Sequence, residues 1–469
     1  MDRDDPLSGL LAQQRAAFAR EPYPALDVRL ARLARLQSLL EANGERLARA
    51  ISADFGNRSL HETAIAETFF VLAGIAHTRK HLRRWMKPRR VATSFHSLPG
   101  TSRILPQPVG VVGVVSPWNY PLQLALAPVV AALAAGNRVL VKPSEITPGL
   151  SQLLAELVAQ HFDPAECAVV LGDAEMGKAF VRQPFDHLFF TGSTAVGRQV
   201  ALAAAANLTP VTLELGGKSP AIVDASADLA QAAQRIAAGK LFNAGQTCIA
   251  PDYVLLPRAA QDAFVEAYTA AARRMYPRFA GNPDYTSIVN ERHFERLRGL
   301  LREAEAAGAR VLRIAPEAET APGRTLAPTL LLDPRPDLAV MREEIFGPVL
   351  PLVACDSPEE AIAFVNARPR PLALYWFGRD RARRQEVLTR TLAGGVTVND
   401  VLLHIAQENL PFGGVGESGI GAYHGEHGFR RFSLEKPVFD QSRWAGNDLL
   451  RPPYGARAER ILRLLRRLV

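Results

Sequence analysis

The sequence predicts an α/β fold built around a doubly wound parallel sheet. Between residues 109 and 206, four apolar strand-like segments alternate with helical segments. Each strand-like segment ends in Pro, Gly or polar residues, which is typical of buried parallel strands that lead into a loop. Because ligands bind beyond the carboxyl ends of the strands in such sheets, we expect functional residues at these ends.

The predicted elements follow one another with short connections. Leucines from Leu26 to Leu47 recur at helical spacing and predict an amphipathic helix over residues 25–51. A second helix is expected over 60–85, and prolines between residues 88 and 108 then interrupt the pattern. The later elements are predicted as strand 109–117, helix 121–135, strand 138–145, helix 148–161, strand 167–171, strand 185–193 and helix 196–206.

The net charge of +8 is concentrated in two segments. Residues 79–90 contribute +7 and residues 451–469 contribute +5, so the rest of the 469-residue chain sums to −4. A nucleic-acid groove is normally lined from several parts of a chain, so we expect no nucleic-acid partner. The tail predicts a short basic amphipathic helix that could dock on its own protein, on a dimer partner or on an anionic membrane.

Cysteine content and hydropathy indicate a cytoplasmic protein. The three cysteines, Cys167, Cys248 and Cys355, are too few for a disulfide scaffold. No apolar run reaches the ~18 residues that span a bilayer, and the acidic, polar N-terminus is unlike a signal peptide. We therefore expect no spanning membrane segment.

One cysteine and one glutamate are candidates for acyl-transfer chemistry. Cys248 ends the segment FNAGQTC, a Gly-containing loop suited to exposing a thiol, whereas Cys167 and Cys355 lie in apolar runs and are expected to be buried. Glu214 ends a β-rich run before Gly216 and Gly217, where a buried carboxylate is costly without a task or partner. A thiol nucleophile and a carboxylate base could form and then hydrolyse an acyl intermediate.

Seven motifs in the same order resemble the aldehyde dehydrogenase family. They are SPWNYP (116–121), VKPSE (141–145), FTGSTAVG (190–197), LELGGKSP (213–220), GQTC (245–248), EEIFGPV (343–349) and LPFGGVGESG (410–419). The segments TPVTLELGGKSP and CIAPDYVL, and GAYHG within residues 421–433, are similar to the class 3 branch and to its bacterial members called coniferyl aldehyde dehydrogenases. The matches extend along nearly the whole chain.

The resemblance implies roles for the catalytic residues. Cys248 matches the nucleophile that forms a thiohemiacetal, Asn119 matches the amide that holds the oxyanion, and Glu214 matches the base that activates water. Tyr120 matches a residue that lines the substrate tunnel, although it could simply belong to the core. Neither His404 nor His424 has metal-type spacing, and no metal site is implied.

The resemblance also implies NAD as cofactor, with NADP possible. Lys142 and Glu145 match the pair that binds the adenosine ribose, and Glu344 matches the carboxylate on the nicotinamide ribose. Glu344 could otherwise pair with Arg342 at the surface. The other implied cofactor-binding residues are Trp118, Gly192, Ser193, Gly197 and Phe346.

The domain organisation is likewise implied by the resemblance. Residues 1–88 and 107–213 would form the NAD-binding domain, residues 214–423 a second α/β catalytic domain, and residues 441–469 the basic tail. Residues 89–106 and 430–440 would form a bridging β arm that adds to the sheet of a partner, so a homodimer is expected.

The implied reaction is the oxidation of an aldehyde to a carboxylic acid. Trp118, Tyr120 and the apolar segment 401–412 favour larger apolar substrates, including aromatic, cinnamyl and medium-chain aldehydes. Two alternatives are a CoA-acylating aldehyde dehydrogenase and a non-catalytic binding protein on the same fold. The presence of Cys248, Glu214 and Asn119 argues against the second, and Glu214, a base for hydrolysis, argues against the first.

Overall fold

The computed structural model describes residues 6–320, 323–444, 448 and 451–467. Within these ranges the longer helices are α1 (Pro6–Arg20), α2 (Leu26–Phe55), α4 (Phe70–Trp85), α5 (Gln123–Ala135), α6 (Pro148–His161), α7 (Ala174–Val181), α8 (Thr194–Ala205), α9 (Leu229–Leu241), α10 (Gln261–Met275), α11 (Glu291–Ala306), α13 (Pro358–Asn366), α14 (Arg381–Arg390) and α16 (Ala456–Leu465). Shorter helices are α3 (Leu60–Thr63), α12 (Ala339–Arg342) and α15 (Gly425–Arg431).

The strands of the described residues fall into three sheets. In chain order they are β1 (Arg89–Val91), β2 (Thr101–Pro108), β3 (Val111–Val115), β4 (Arg138–Lys142), β5 (Cys167–Val169), β6 (His187–Thr191), β7 (Val211–Glu214), β8 (Pro220–Val223), β9 (Tyr253–Leu256), β10 (Arg310–Arg313), β11 (Thr329–Leu332), β12 (Val349–Ala354), β13 (Ala373–Phe377), β14 (Gly395–Val398), β15 (Gly419–Ile420) and β16 (Ser433–Asp440).

The first sheet confirms the predicted doubly wound α/β architecture. Its order is β15-β7-β6-β3-β4-β5, and every pair except β15–β7 is parallel. Alternate residues of β3 face opposite sides of the sheet. Val112 and Val114 pack with residues of α2, α5 and α6 on one side. Val111 packs with residues of α1, α7 and α8 on the other side. The strands are buried on both faces, which explains why they read as continuous apolar runs.

The second sheet has the order β10-β11-β12-β9-β8-β13-β14. It is parallel except at its edge, where β10 pairs antiparallel with β11. The third sheet is small and antiparallel, with the order β1-β2-β16. The pairing of β2 with β16 runs from Pro108 opposite Ser433 to Thr101 opposite Asp440, and it joins two distant parts of the chain.

Two features depart from the sequence-based expectations. The helix expected over 60–85 contains a π-helical turn at Ala64–Phe69, between α3 and α4. A strand from within predicted segment 214–423, β15, crosses into the first sheet, where Gly419 lies opposite Glu214. A Cβ at Gly419 would lie 2.3 Å from the carbonyl oxygen of Leu213, so only glycine permits this close approach.

The tail contains the expected basic helix. Of the residues of α16, only Ala458 is buried, and Leu462 and Leu464 are exposed. The remaining tail residues, 445–447, 449–450 and 468–469, lie outside the described residues, as do residues 1–5 of the predicted first domain. Among the residues that the structure describes, no helix has the length and apolar character needed to span a membrane.

Candidate active site

Cys248 lies just beyond a tight backbone turn that follows α9. Asn243, Ala244 and Gly245 form three consecutive left-handed residues, with φ of 51°, 50° and 75°. Such a conformation is costly for Asn and Ala and persists only where surrounding contacts hold it. Here a Cβ at Gly245 would lie 2.4 Å from the carbonyl oxygen of Gly347, so the turn is packed tightly against the loop before β12.

Hydrogen bonds fix the turn from several sides. Asn243 donates its backbone N–H to Glu62 Oε2 at 2.9 Å and its side-chain amide to the Asn119 carbonyl at 3.0 Å. The Gln246 amide donates to the Ser287 carbonyl at 3.0 Å. Because these partners are all buried, the position of the thiol two residues further on is well defined.

The thiol of Cys248 lies where two cavities meet. The first, which we call the apolar cavity, has a volume of about 250 Å³ and is lined mainly by aliphatic and aromatic side chains. The second, the Glu344 cavity, has a volume of about 290 Å³ and is lined by more polar groups. Cys248 lines both, so a molecule in each cavity would meet the other at the sulfur.

Glu214 and Glu344 line the Glu344 cavity, and most of their carboxylate oxygens lack a hydrogen-bond donor among the described residues. Both carboxylate oxygens of Glu214 are buried without a hydrogen-bond partner among the described residues, and so is Oε1 of Glu344. Burial raises the pKa of Glu214 well above its usual range, with Arg431 opposing the shift. Burial and the nearby Asp252 raise the pKa of Glu344 to about 8. Burial therefore disfavours the ionised form of both carboxyl groups.

The same surroundings act on the Cys248 thiol. Its pKa is raised, first by burial and then by the charges of Glu344 and Glu214. The thiol is therefore the resting form, and the thiolate needed for attack has to be generated when substrate is present.

Asn119 and Tyr120 follow β3 and reach the Cys248 loop. Asn119 Nδ2 donates to the Gln246 carbonyl at 3.2 Å, and the Tyr120 hydroxyl bonds Thr247 Oγ1 at 2.7 Å. Asn119 lines the Glu344 cavity, whereas Tyr120 lines the apolar cavity. The two neighbours therefore face different cavities on either side of the thiol.

A buried ion pair between Arg58 and Glu67 holds the segment that contains Asn119. Arg58 Nη1 donates to the Asn119 carbonyl at 2.9 Å and lies 2.9 Å from Glu67 Oε1. Glu67 Oε2 accepts the backbone N–H groups of Leu122 and Gln123 at 2.7 Å and 3.1 Å. Sequence reasoning did not single out Arg58 or Glu67, and only their charge within an otherwise apolar region could have drawn attention to them.

The other predicted cofactor-binding residues fall into two groups. Trp118, Gly192, Ser193 and Phe346 line the Glu344 cavity, where the Trp118 and Phe346 rings meet edge to face at 5.5 Å. Gly197 lines neither cavity: a Cβ there would lie 2.5 Å from Leu215 Cδ2, so its direct role is close packing of α8.

Lys142 is the last residue of β4 and Glu145 follows it, and neither residue lines either of the two cavities. Lys142 is buried, and its Nζ donates to the Pro143 carbonyl at 2.9 Å and to Glu145 Oε2 at 3.3 Å. Glu145 is exposed. An exposed carboxylate held by a lysine is suited to accepting hydrogen bonds from a diol such as a ribose.

The residues around the Glu344 cavity fit a dinucleotide. Glu344 Oε1 is a buried acceptor that lacks a donor among the described residues, and it lies against Gly216, where a Cβ would be 2.1 Å from Oε2. Ser193 caps the N-terminus of α8 by accepting from the Val196 N–H at 3.4 Å. A capped helix N-terminus beside a cavity favours phosphate.

Sequence reasoning missed several residues that line the cavities. His293 and Arg296 lie three apart on α11 and line the Glu344 cavity, while Glu408 and Tyr423 line the apolar cavity. The spacing of His293 and Arg296 on one helix face was the only available signal, and it is common in surface helices.

His404 and His424 are buried, and burial lowers their pKa to about 4 and about 3. His404 Nδ1 bonds Thr397 Oγ1 at 2.9 Å. Within the described part of the chain, no group of three His, Cys, Asp or Glu side chains could hold a metal ion.

Comparison with known proteins supplies the family context. The model of the aldehyde dehydrogenase family matches residues 11–438. A probable coniferyl aldehyde dehydrogenase of Pseudomonas aeruginosa is 49% identical over 97% of this chain and 95% of its own. A dimeric NADP-preferring aldehyde dehydrogenase of Rattus norvegicus is 41% identical over 93% of this chain and 95% of its own. A substrate-bound structure of Staphylococcus aureus AldH, 37% identical, superposes with a TM-score of 0.92 and covers 98% of this chain and 99% of that one.

Proposed function

The chain belongs to the aldehyde dehydrogenase family and is an NAD(P)-dependent aldehyde dehydrogenase, and on this premise we propose that it converts apolar aldehydes to carboxylic acids through a thioester on Cys248. The single observation that carries the proposal is the position of Cys248 between the apolar cavity and the Glu344 cavity. An aldehyde in the first and a nicotinamide in the second would meet at the sulfur.

In the proposed first step, the Cys248 thiol releases its proton to solvent, Sγ forms a bond to the aldehyde carbon, and the carbonyl oxygen becomes an oxyanion. The side-chain amide of Asn119 and the backbone N–H of Cys248 stabilise that oxyanion, a contribution worth ~3 kcal/mol for one such donor. Bound NAD supplies a hydride acceptor. Loss of hydride from the thiohemiacetal carbon leaves a thioester on Cys248.

In the proposed second step, Glu214 takes a proton from water, and the resulting hydroxide attacks the thioester carbon. The C–S bond breaks, the acid leaves, and the Cys248 thiolate takes the proton from Glu214 to return to the thiol. Glu214 acts here in its carboxylate form, and its raised pKa makes that carboxylate a stronger base than an exposed one. One aldehyde, one water and one NAD give one acid, one NADH and one proton.

We assign cofactor roles on the same basis. Glu344 Oε1 accepts a hydroxyl of the nicotinamide ribose, Lys142 and Glu145 bind the adenosine ribose, and Ser193 binds phosphate. Trp118 and Phe346 bracket the nicotinamide half. Gly192 and Gly197 act by allowing the turn and the close packing of α8 next to that site.

The proposed substrates are aromatic, cinnamyl and medium-chain aldehydes. The apolar cavity is lined by residues such as Leu124, Val130, Phe242 and Ile249, which favour burial of a large apolar group. The named relative from Pseudomonas aeruginosa acts, by its name, on coniferyl aldehyde. Each buried methylene adds ~0.8 kcal/mol, so large substrates gain in kcat/KM.

We also propose a homodimer and a cytoplasmic location. The dimer is supported by the exposed apolar residues Phe95, Leu98 and Leu434 near or in the small β1-β2-β16 sheet. The location is supported by three cysteines that remain unpaired, Cys167, Cys248 and Cys355.

A substrate panel tests the proposal. Acetaldehyde, hexanal, benzaldehyde and cinnamaldehyde are compared under NAD and NADP, and we expect cinnamaldehyde to exceed acetaldehyde by ~10²-fold or more in kcat/KM. A cavity variant is the second test. Ala406→Phe places a larger side chain in the wall of the apolar cavity, so it should lower kcat/KM for cinnamaldehyde and leave kcat/KM for acetaldehyde nearly unchanged. Equal or better kcat/KM for acetaldehyde in the native enzyme contradicts the substrate class. Acyl-CoA rather than free acid, in an assay supplied with CoA, contradicts the hydrolytic step.

A further inference from the structure

Two buried lysine side chains flank one buried aspartate beside the loop that carries Glu344. Lys240 lies on the last turn of α9, Lys218 lies between β7 and β8, and Asp252 directly precedes β9. Their side chains are at most 8% exposed. Lys218 Nζ pairs with Asp252 Oδ2, and Lys240 Nζ lies 3.7 Å from Asp252 Oδ1. We call these three residues the lysine cluster.

The lysine cluster holds the backbone on both sides of Glu344. Lys218 Nζ donates to the Glu343 carbonyl at 2.8 Å, which fixes the peptide group before Glu344. Asp252 Oδ1 accepts the Ile345 N–H at 3.2 Å, which fixes the peptide group after Glu344. Because peptide groups are planar, fixing both of them sets the direction in which the Glu344 side chain leaves the backbone.

Lys240 contributes charge to the cluster rather than a hydrogen bond. Its Nζ is buried and has no hydrogen-bond partner among the described residues. Burial lowers the pKa of Lys240 to about 8, and the nearby Asp252 opposes that shift, so the ammonium is still the main form near neutral pH. A buried ammonium without hydrogen bonds is costly. Its place is notable, because α9 leads into the turn before Cys248 while Asp252 holds the segment after Glu344.

We propose that Lys240 and Lys218 are positioning residues that act through Asp252 and orient Glu344 toward the ribose of the nicotinamide nucleotide. Each oxygen of Asp252 faces one of the two ammonium groups, so the carboxylate is held in one orientation. Without Lys240, Oδ1 keeps no cation within ion-pair distance among the described residues, and its bond to the Ile345 N–H weakens. The inference rests on the proposed contact between Glu344 and that ribose.

Equilibrium binding of two nucleotides tests this role without catalysis. The variant Lys240→Met is compared with the native enzyme for the Kd of NADH, followed by nucleotide fluorescence, and for the Kd of ADP, followed by calorimetry. We expect the Kd of NADH to rise about fivefold, less than for loss of the whole contact, because Arg296 still donates to the Glu344 carbonyl at 3.3 Å. ADP lacks the nicotinamide ribose, so its Kd should stay within about twofold of the native value.

A double-mutant cycle shows whether Lys240 acts through Glu344. Glu344→Ala removes the acceptor and should raise the Kd of NADH about tenfold. Adding Lys240→Met to Glu344→Ala should change that Kd by less than about twofold, because the residue that Lys240 positions is already absent.

Two further variants separate positioning from general stability. Arg32→Met removes an equally buried cation from another cluster, where Arg32 pairs with Glu21 and Glu166. It should lower the Tm, as Lys240→Met does, but leave the Kd of NADH at the native value. Lys218→Met removes the bond to the Glu343 carbonyl and should reproduce the pattern of Lys240→Met, so it replaces that variant if Lys240→Met does not fold.

Three results would overturn the proposal. One is a Lys240→Met variant whose Kd for NADH stays within about twofold of the native value, and another is a double variant in which the two losses add. The third is an equal loss of affinity for NADH and ADP, which would assign Lys240 to the general fold. If Glu344→Ala alone leaves the Kd of NADH unchanged, the proposed ribose contact itself is wrong, and the positioning role is wrong with it.

Discussion

At the scale of single residues, the site is built from groups that the fold leaves electrostatically unsatisfied. Glu214 is buried with both oxygens unpartnered within the described residues, and Cys248 has a raised thiol pKa. Burial of this kind destabilises a fold, and it persists at sites where a reacting molecule provides the missing partner. Glu344, with its pKa of about 8, follows the same rule.

Glu214→Gln is predicted to stop turnover after acylation. The amide keeps the shape of the side chain but cannot take a proton from water, so the thioester accumulates. We expect a burst of NADH that matches the enzyme concentration, followed by little turnover. Mass spectrometry of enzyme mixed with hexanal and NAD should show an acyl adduct, and Cys248→Ala should show neither burst nor adduct while still binding NADH. Slow turnover without an adduct would place Glu214 outside the hydrolytic step.

The same variant is predicted to change the pH dependence of stability. The pKa of Glu214 is raised in the folded state, so the folded protein holds a proton that the unfolded chain releases above ~4.3. Native stability therefore falls as pH rises through the interval above that value. Glu214→Gln removes this loss, and its Tm advantage over the native enzyme should grow from pH 5 to pH 8. An advantage that is constant or shrinks over this range would contradict the raised pKa.

At the scale of elements, the π-helical turn at Ala64–Phe69 determines how the oxyanion residue is held. Glu62 and Glu67 are five residues apart, a spacing that an α-helix places on different faces and a π-helical turn brings closer together. Both carboxyl groups are buried, and both hold residues that support the active site: Glu62 accepts the Asn243 N–H, and Glu67 pairs with Arg58. The π-helical turn thus brings the carboxyl groups of Glu62 and Glu67 to the same side of the helix.

Glu67→Gln is predicted to destabilise the protein strongly. The change removes the ion-pair partner of the buried Arg58, a loss that typically costs about 3–5 kcal/mol. It should also lower kcat, because Arg58 holds the Asn119 carbonyl. The measurement is the free energy of unfolding in urea together with kcat for hexanal. As a control, Arg49→Gln breaks an exposed pair on α2 and should cost less than about 1 kcal/mol. Similar losses in the two variants would argue against a supporting role for the buried pair.

The sequence was informative where local pattern and tertiary structure agree. The strands of the first sheet read as apolar runs because both of their faces are buried, and β3, β4, β5 and β6 lie within the predicted segments. The π-helical turn and β15 could not be read in this way. The first depends on the buried partner of Glu67, and the second depends on a two-residue contact across the sheet at Gly419. Both are consequences of packing between distant parts of the chain.

Some residues of the candidate site could likewise be predicted from the sequence, and others could not. Motif residues at the carboxyl ends of strands were identifiable from sequence, since β3, β4, β6 and β7 lead directly into Asn119, Lys142, Ser193 and Glu214 or their immediate neighbours. The residues of the cavity walls could not be identified from the sequence. His293, Glu408 and Tyr423, for example, come from separate elements and have no local sequence motif. Which residues share a cavity is a property of the packed fold.

At the scale of the whole molecule, the reacting thiol lies at the junction of the two large sheets. Cys248 follows α9 in the segment between β8 and β9, whereas Glu214 ends β7 of the first sheet. The small sheet ends in β16, an eight-residue strand that, among the described residues, pairs on one side only, with β2. An edge strand of this length with exposed apolar residues is a template for pairing with another chain unless it is covered.

The last prediction is that this edge is the centre of a homodimer. Leu434 in β16 is 56% exposed and Phe439 in the same strand is 47% exposed, so this edge strand carries exposed apolar side chains. Leu434→Lys places a charge on that surface and should shift the protein from dimer to monomer in light scattering at micromolar concentration. Leu208→Lys, at a residue that is 89% exposed beyond the end of α8, is the matched control and should leave the dimer intact. Leu434 lines neither of the cavities that meet at Cys248, so the Kd for NADH should change little in the monomer. A native protein that is already monomeric, or a Leu434→Lys variant that remains dimeric, would move the interface away from β16.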